Sequence, residues 1–525
     1  MTWRKDDPQG NEGFKVRWEI VRWTKGRGLD IGCGPQKTFP HFIGVDNNID
    51  AAIFNIPAKP DVYVDNANDL SVFSSESMDF VFSSHLLEHF PYEEVPKVLK
   101  EWFRVLKPNR HLVLYLPDED EYPKVGEPNA NLDHKWNVNK DRLLEAMKGL
   151  NWDLIDYQKR NKGNEYSLYF VFKKIGKGQY QSWNKPKPAK RAAVVRYGAY
   201  GDLLQASSVF SGLKKQGYHV TVYCSPPGMD VILHDPNIDD FYIQDKDQVP
   251  NPYLQEFWDH ESKKYDKWVN LCESVEGTFL SIPGRTAHYF PPKARHELMD
   301  FNYIEFAHTI AGLPHDPQMY FYATQSEIEW AKKERSKMGE YVIMWALAGS
   351  SVHKTWAGLD QTIASIMIEF PNVDVVLVGS TEAKILEQGW EKEKRVHLRS
   401  GVWNIRETLA FQKTCDMVVG PETGVLNAAS QLSIPKVVFL SHSTEKNLTR
   451  DWTNTYSLIS KNTTCPGRGN NEAPACHQLH YNWNFCKQVK EGWGNGTSQC
   501  QTDISGVEAW EVIRTAIRKR MEKAA

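Results

Sequence analysis

Residues 27–34 read Arg-Gly-Leu-Asp-Ile-Gly-Cys-Gly and residues 41–46 read His-Phe-Ile-Gly-Val-Asp. Each is a short apolar run that ends in turn-forming or acidic residues, the pattern of a buried strand whose end opens on a crevice. Gly32 and Gly34 stand where the first run stops, so the backbone can turn tightly there and leave room against the main chain. Outward from this pair the runs VYVDN at 62–66, MDFVFSS at 78–84 and RHLVLYLP at 110–117 predict further strands. Helical spacing fills the gaps, above all in EVPKVLKEWFRVL at 94–106, for which Lys107-Pro108 predicts the stop. Strand alternating with helix predicts a parallel α/β sheet. A helix at DRLLEAMKGL, 141–150, then precedes two strand runs, 152–160 and 166–175, joined by a polar turn with Gly163 and Asn164. These predict a closing antiparallel hairpin.

Residues 176–190, GKGQYQSWNKPKPAK, break all periodicity and have the composition of a solvated connection. A new α/β pattern begins at AAVVRYG, 192–198, with a helix near 203–217 and a strand at 219–225. A third set follows in YVIMWAL (341–347), LDQTIASIMIEF (359–370), VDVVLVG (373–379), IRETLAFQKT (405–414), DMVVG (416–420) and PKVVFLS (435–441), and a helical terminus over 504–524 closes the chain. The predicted organisation is one α/β domain over 1–175, a linker over 176–190, and two facing Rossmann-like domains over 191–325 and 326–525 with a cleft between them. No short internal repeat is evident.

A chain of 525 residues exceeds what one core uses, which requires such a division. The formal charge of −3 gives no broad attraction for a polyanion, so nucleic acid is not an expected partner. The first residues carry acidic groups and no apolar export segment, and no window is apolar enough to span a membrane, so a cytoplasmic location is expected. Without export the eight cysteines read as thiols or metal ligands rather than disulfides.

In the first domain Asp46 ends the second strand, where a carboxylate can accept both hydroxyls of a ribose. Asp65 and Asn66 close the third strand and could hold an adenine edge, while Ser83, Ser84 and His85 end the fourth over the same crevice. With Asp30, Gly32 and Gly34 these make the candidate cofactor site. Too few residues separate Gly34 from the next strand for a full crossover helix, which disfavours a dinucleotide whose pyrophosphate needs that helix. Residues 26–175 resemble class I S-adenosylmethionine-dependent methyltransferases in LDIGCG, GVD, DFVFSSHLLEHF, VLKPNRHLVLYLP and the final hairpin. That resemblance implies S-adenosylmethionine as cofactor. The string Asp133-His134-Lys135-Trp136 resembles members acting on sugars or small polar acceptors. His134 is the candidate general base, with a packed or surface residue as the other reading, and His85 and His89 carry the same pair of readings. Glu88 reads equally as a functional residue or as one that caps or solvates its helix.

In the second part AVVRYGAYGDLLQASSVF leads a strand through two glycines to Asp202, which is either a general base on an acceptor hydroxyl or the cap of its helix. The loop from Gly349 to Trp356 offers Ser350, Ser351 and Lys354 to a diphosphate leaving group, and Gly420-Pro421-Glu422-Thr423-Gly424 opens a helix toward the same place. Residues 191–515 resemble glycosyltransferase family 9, the family of the lipopolysaccharide heptosyltransferases, with its GT-B architecture. The resemblance implies Asp202 as acceptor base, Lys354 as phosphate ligand, Glu382 as ribose contact, and Glu422, Thr423 and Gly424 as donor-binding residues. Glu422 replaces the family's aspartate and Asn427 its histidine, which leaves the donor sugar open.

Cys465, Cys476, Cys486 and Cys500 are spaced unlike paired zinc knuckles, so thiols in an acceptor-facing loop are expected and no metal site is assigned. The resulting expectation is a bifunctional enzyme that adds a methyl group and a sugar to a surface polysaccharide or lipopolysaccharide-type glycan, with a nucleotide sugar as second donor. The competing readings are that one half is a noncatalytic binding or scaffolding module, or that the acceptor is a modified nucleobase.

Overall fold

The computed structural model describes residues 12–47, 50–51, 56–175, 190–245, 248–273, 301–349, 354–441, 443–461 and 498–524. The chain divides into two compact units, unit 1 of Met1–Lys187 with Gln244–Pro250 and unit 2 of Pro188–Ile243 with Asn251–Ala525.

Unit 1 is built on β1 (Gly28–Ile31), β2 (Ile43–Asp46), β3 (Val62–Tyr63), β4 (Met78–Ser84), β5 (Leu106–Pro117), β6 (Trp152–Arg160) and β7 (Ser167–Lys174). Their order across the sheet is β3-β2-β1-β4-β5-β7-β6. β1 to β5 are parallel, and β7 runs antiparallel to both β5 and β6, as the hairpin predicts. The order reverses between β1 and β4, which opens a crevice at the carboxyl ends of those strands. The helix α1 (Val95–Val105) buries Val95, Val98, Leu99, Trp102, Phe103 and Val105, the i, i+3, i+4, i+7 stripe legible in the sequence. It ends before the predicted Lys107-Pro108 stop, because a residue preceding proline avoids helical dihedrals and β5 already begins at Leu106. A second helix, α2 (Lys140–Ala146), is capped by Asn139, whose side chain accepts from the Arg142 N–H.

Residues 32–42 form turns and no helix, as the short spacing predicts. Phe39 and Phe42 are buried and stack edge-on at 5.4 Å, so aromatic packing takes the place of the missing crossover helix.

Unit 2 carries two parallel sheets. The first contains β8 (Arg191–Val195), β9 (His219–Cys224), β10 (Asp240–Ile243) and β11 (Lys267–Asn270), in the order β10-β9-β8-β11. Helices α3 (Tyr200–Lys215), α4 (Pro226–Ile232), α5 (Leu254–Ser262) and α6 (Tyr303–Ala311) accompany it. The second contains β12 (Tyr341–Ala346), β13 (Val373–Val378), β14 (Val396–Leu398), β15 (Met417–Pro421), β16 (Lys436–Leu440) and β17 (Thr455–Ile459). Its order, β14-β13-β12-β15-β16-β17, is that of a doubly wound nucleotide-binding sheet. Helices α7 (Gln325–Arg335), α8 (Leu359–Glu369), α9 (Ile405–Gln412), α10 (Gly424–Ala429) and α11 (Gly506–Ala524) complete this half. Every residue of β12, β13, β15 and β16 is buried, as continuous apolar runs between two helical layers require. Two Rossmann-like halves in one unit are the expected GT-B arrangement.

Among the described residues no helix is long and apolar enough to cross a membrane.

Candidate functional site

In unit 1 the turn after β1 is held to the end of β2. The Gly32 N–H donates to the Val45 carbonyl at 2.8 Å, and the Gly34 N–H donates to Asp46 Oδ2 at 2.8 Å. Gly34 has φ +58°, and a Cβ placed on it would meet no atom within 4 Å. The main chain therefore borders open space beside a half-buried carboxylate, which suits a ligand bearing vicinal hydroxyls. Asp65 and Asn66 follow β3 in an exposed turn, where Asn66 Oδ1 accepts from the Asn68 N–H at 3.0 Å.

Two residues expected to touch a cofactor are instead turned into the fold. Asp30 Oδ2 accepts from the Thr38 N–H at 2.8 Å and braces the turns that replace the helix. Ser83 Oγ donates to the Ile31 carbonyl at 2.9 Å and ties β4 to β1. Burial raises the Asp30 carboxyl from 3.8 to about 6, against the lowering effect of the Thr38 bonds. Between those two values the unfolded chain loses its proton while the folded one keeps it. Asp30 is thus expected to contribute a loss of about 3 kcal/mol to the stability of unit 1 as pH rises from about 4 to about 6, on top of what other groups add. Denaturation of wild type and Asp30→Asn across this range tests it, and the difference in stability between the two should change by that amount.

Past β4 the chain turns at His85, which adopts φ +49°, an uncommon conformation for a residue other than glycine. The short turn Leu87–His89 follows. Glu88 in this turn is fully buried, which corrects the expectation that it caps or solvates a helix. Its backbone carbonyl accepts the Lys135 N–H at 2.8 Å, and the Leu87 carbonyl accepts Trp136 Nε1 at 3.2 Å. Those two bonds bring the Asp133-His134-Lys135-Trp136 string against the turn. His134 Nε2 stands 3.7 Å from Glu88 Oε1, and His89 Nε2 stands 4.0 Å from it. Burial pushes Glu88 up to about 8 and His134 down to about 4, the latter helped by neighbouring His89. His134 is accordingly a neutral imidazole at neutral pH.

In unit 2 a cavity of about 620 Å³ opens between the two Rossmann-like halves. Asp202 and Gln205 of α3 line it from one half, and Lys354, Glu382, Glu422 and Thr423 from the other. Asp202 does cap its helix, since its Oδ2 accepts the Ala199 N–H at 2.5 Å, while Oδ1 accepts Arg196 Nη2 at 2.5 Å. A carboxylate has further lone pairs, so capping and a role toward the cavity coexist at this residue. Arg196, which the sequence reading missed, is signalled only by an arginine at the end of an apolar strand.

Lys354 is buried and its Nζ donates to the Glu422 carbonyl at 3.2 Å. The Glu422 carboxylate accepts the N–H groups of Ser441 at 2.7 Å and Ser443 at 3.2 Å, together with the Ser441 hydroxyl. It thereby fixes the loop after β16. Thr423 is the N-cap of α10, and its hydroxyl accepts from the Leu426 N–H at 3.4 Å. Gly424 allows α10 to approach α3: a Cβ there would lie 2.7 Å from Tyr200 Cβ and 3.2 Å from the Gly201 nitrogen. Asn427 joins the halves, donating to the Thr423 carbonyl at 2.9 Å and accepting from Gln205 Nε2 at 3.2 Å. Glu382 is exposed on the cavity wall, its carboxyl held below the usual range chiefly by the Ser380 hydroxyl. Ser350, Ser351, Cys465, Cys476 and Cys486 lie outside the described residues. Cys500 is a half-buried thiol whose sulfur lies 3.0 Å from the Ser498 hydroxyl.

Residues 29–114 match the family model described as a methyltransferase domain. No curated protein matches the chain. Among solved structures, the chain is similar to a glycosyl transferase family 9 protein from Veillonella parvula, at 15% identity over 64% of this chain and 98% of that one, with a TM-score of 0.45. It is similar to the E. coli ADP-heptose lps heptosyltransferase II at 14% identity over 64% of this chain and 100% of that one, with a TM-score of 0.44. A SAM-dependent methyltransferase from Archaeoglobus fulgidus is 18% identical over 31% of this chain and 92% of that one, with a TM-score of 0.23. The methyltransferase-domain match covers β1 through most of β5, the part of unit 1 that carries the glycine turn, Asp46 and the Glu88 turn.

Proposed function

We propose that the chain is a two-site transferase of glycan assembly, methylating with S-adenosylmethionine in unit 1 and transferring a sugar from a nucleotide donor in unit 2. The observation that carries this reading is that each unit gathers its polar groups at the carboxyl ends of parallel strands, in separate sites suited to a nucleoside and to a nucleoside diphosphate.

In unit 1 the open space over Gly34 and the Asp46 carboxylate fit the ribose and methionine portions of the cofactor, with Asp65 and Asn66 toward the adenine. Bound S-adenosylmethionine supplies an electrophilic methyl group. The residues here align the acceptor hydroxyl and exclude water, which is most of what methyl transfer asks of a protein. In the metal-free protein His134, a neutral imidazole, receives the hydroxyl proton.

In unit 2 residues 326–525 hold the nucleotide sugar and residues 191–325 the acceptor. Lys354, with Ser350 and Ser351, binds the diphosphate, Glu382 the nucleotide ribose, and Thr423 and Gly424 the phosphates. Glu422 positions the loop that contacts the sugar. An acceptor oxygen bonds to the anomeric carbon, the bond to the diphosphate breaks, and the acceptor proton passes to Asp202. Lysine beside the departing diphosphate stabilises the charge that develops there. The acceptor is a surface polysaccharide or lipopolysaccharide-type glycan. Supplying both donors with such a glycan to the intact chain tests the reading, and both groups should be transferred.

A further inference from the structure

We propose that Glu88, His89 and His134 form a binding site for one divalent transition-metal ion in unit 1. Their ligating atoms all lie within 4.8 Å of one another. The separations of 3.7 and 4.0 Å from Glu88 Oε1 to the His134 and His89 Nε2 atoms are too long for hydrogen bonds. They are close to what a shared ion needs, since donors bonded at ~2.1 Å to a tetrahedral ion stand roughly 3.4 Å apart.

Glu88 supplies the independent observation. It is fully buried, and among the described residues neither carboxylate oxygen has a hydrogen-bond partner in another residue. A carboxylate withdrawn from water without a donor is strongly unfavourable, and protonation relieves the charge but leaves a hydroxyl with no acceptor within hydrogen-bond distance. A dication between this group and two imidazoles satisfies the carboxylate.

The surroundings hold the three side chains in place. The Lys135 N–H to Glu88 carbonyl bond fixes the two loops to each other. His85 backs the carboxylate, with Nδ1 3.6 Å from Glu88 Oε1 and Nε2 2.9 Å from Ser167 Oγ. Two imidazoles and one carboxylate favour Zn²⁺, Fe²⁺, Co²⁺ or Ni²⁺ over Mg²⁺ or Ca²⁺, which take mostly oxygen. Three protein donors leave at least one coordination position for water or an incoming oxygen.

The cluster borders the glycine turn, because Leu86 packs on Gly32 so closely that a Cβ there would lie 2.9 Å from Leu86 Cδ2. With His134 Nε2 bonded to the ion, the proton would pass to solvent rather than to that nitrogen, and a hydroxyl entering the open position would become more acidic and so a better methyl acceptor. This last consequence rests on the methyl-transfer reading; metal binding itself does not.

The test strips the full-length chain with a chelator and titrates it with ZnSO₄ and CoCl₂. Wild type should take up one more equivalent than the His89→Ala/His134→Ala variant, and the Co²⁺ form should show visible d–d absorption without a thiolate charge-transfer band. Glu88→Gln should bind at least tenfold more weakly, and His134→Gln serves where Glu88→Gln does not fold, with circular dichroism as the check. Changing Cys465, Cys476, Cys486 and Cys500 to serine should leave this equivalent in place. Equal uptake by wild type and the double histidine variant would overturn the site, as would loss of the equivalent with the four cysteines alone. S-adenosylmethionine affinity of the metal-free chain, measured separately, distinguishes failure of the metal site from failure of the methyl-transfer reading.

Discussion

Lys354→Ala is expected to slow glycosyl transfer by about 10²- to 10³-fold, the usual consequence of removing one preorganised donor from a site of developing negative charge. The side chain is buried at the cavity wall and its ammonium already has the Glu422 carbonyl as an acceptor, so the charge is held in place before a ligand arrives. Its aliphatic stem lies against Gly349, where a Cβ would come within 2.6 Å of Lys354 Cδ, so the lysine cannot easily swing aside. Lys354→Arg should recover only part of the rate, because a planar guanidinium does not fit the space of a compact ammonium. Asp202→Asn should behave differently, sparing donor affinity while lowering turnover. Steady-state rates with nucleotide sugars, paired with donor calorimetry, separate the two variants. Full turnover in Lys354→Ala would move the phosphate site elsewhere.

Asp46→Ala should weaken S-adenosylmethionine binding at least a hundredfold, since two charge-assisted hydrogen bonds to ribose hydroxyls contribute about 1.5 to 3 kcal/mol each. The same carboxylate receives the Gly34 N–H at 2.8 Å and the Asn47 N–H at 2.8 Å, so the turn over the ligand loosens as well. Asp46→Asn keeps an acceptor for Gly34 and should recover the turn but only part of the affinity. Calorimetry of the full-length variants decides, and an unchanged affinity in Asp46→Ala would remove the ribose assignment.

Among the strands that were legible in the sequence, those buried on both faces are marked most plainly. β1, β12, β13, β15 and β16 read as runs apolar except at Asp30, Asp374 and Lys436, as a parallel sheet covered on both faces requires. β10, β11, β14 and β17 escape notice because they are short and partly exposed, so no alternation or continuous run marks them. The glycine turn and Asp46 were readable because strand ends and turns are local features. Asp30 and Ser83 could not be sorted from them, since a polar residue at a strand end looks the same whether it faces a crevice or braces a neighbour. The meeting of Glu88 with His134 was invisible for another reason. It depends on two backbone-directed bonds, from Lys135 and Trp136, between segments far apart in the chain. Asn427, noticed only as a departure from a family pattern, proves to join the two halves of unit 2 through Gln205.

The most direct test of a two-site transferase gives the intact chain isotope-labelled S-adenosylmethionine, a panel of nucleotide sugars and an acceptor glycan, and follows the products by mass spectrometry. The account predicts a glycan carrying both the labelled methyl group and the added sugar, with Asp46→Ala losing only the first and Lys354→Ala losing chiefly the second. Methyl label found only on molecules unrelated to the glycan, or no sugar transferred from any donor, would contradict it.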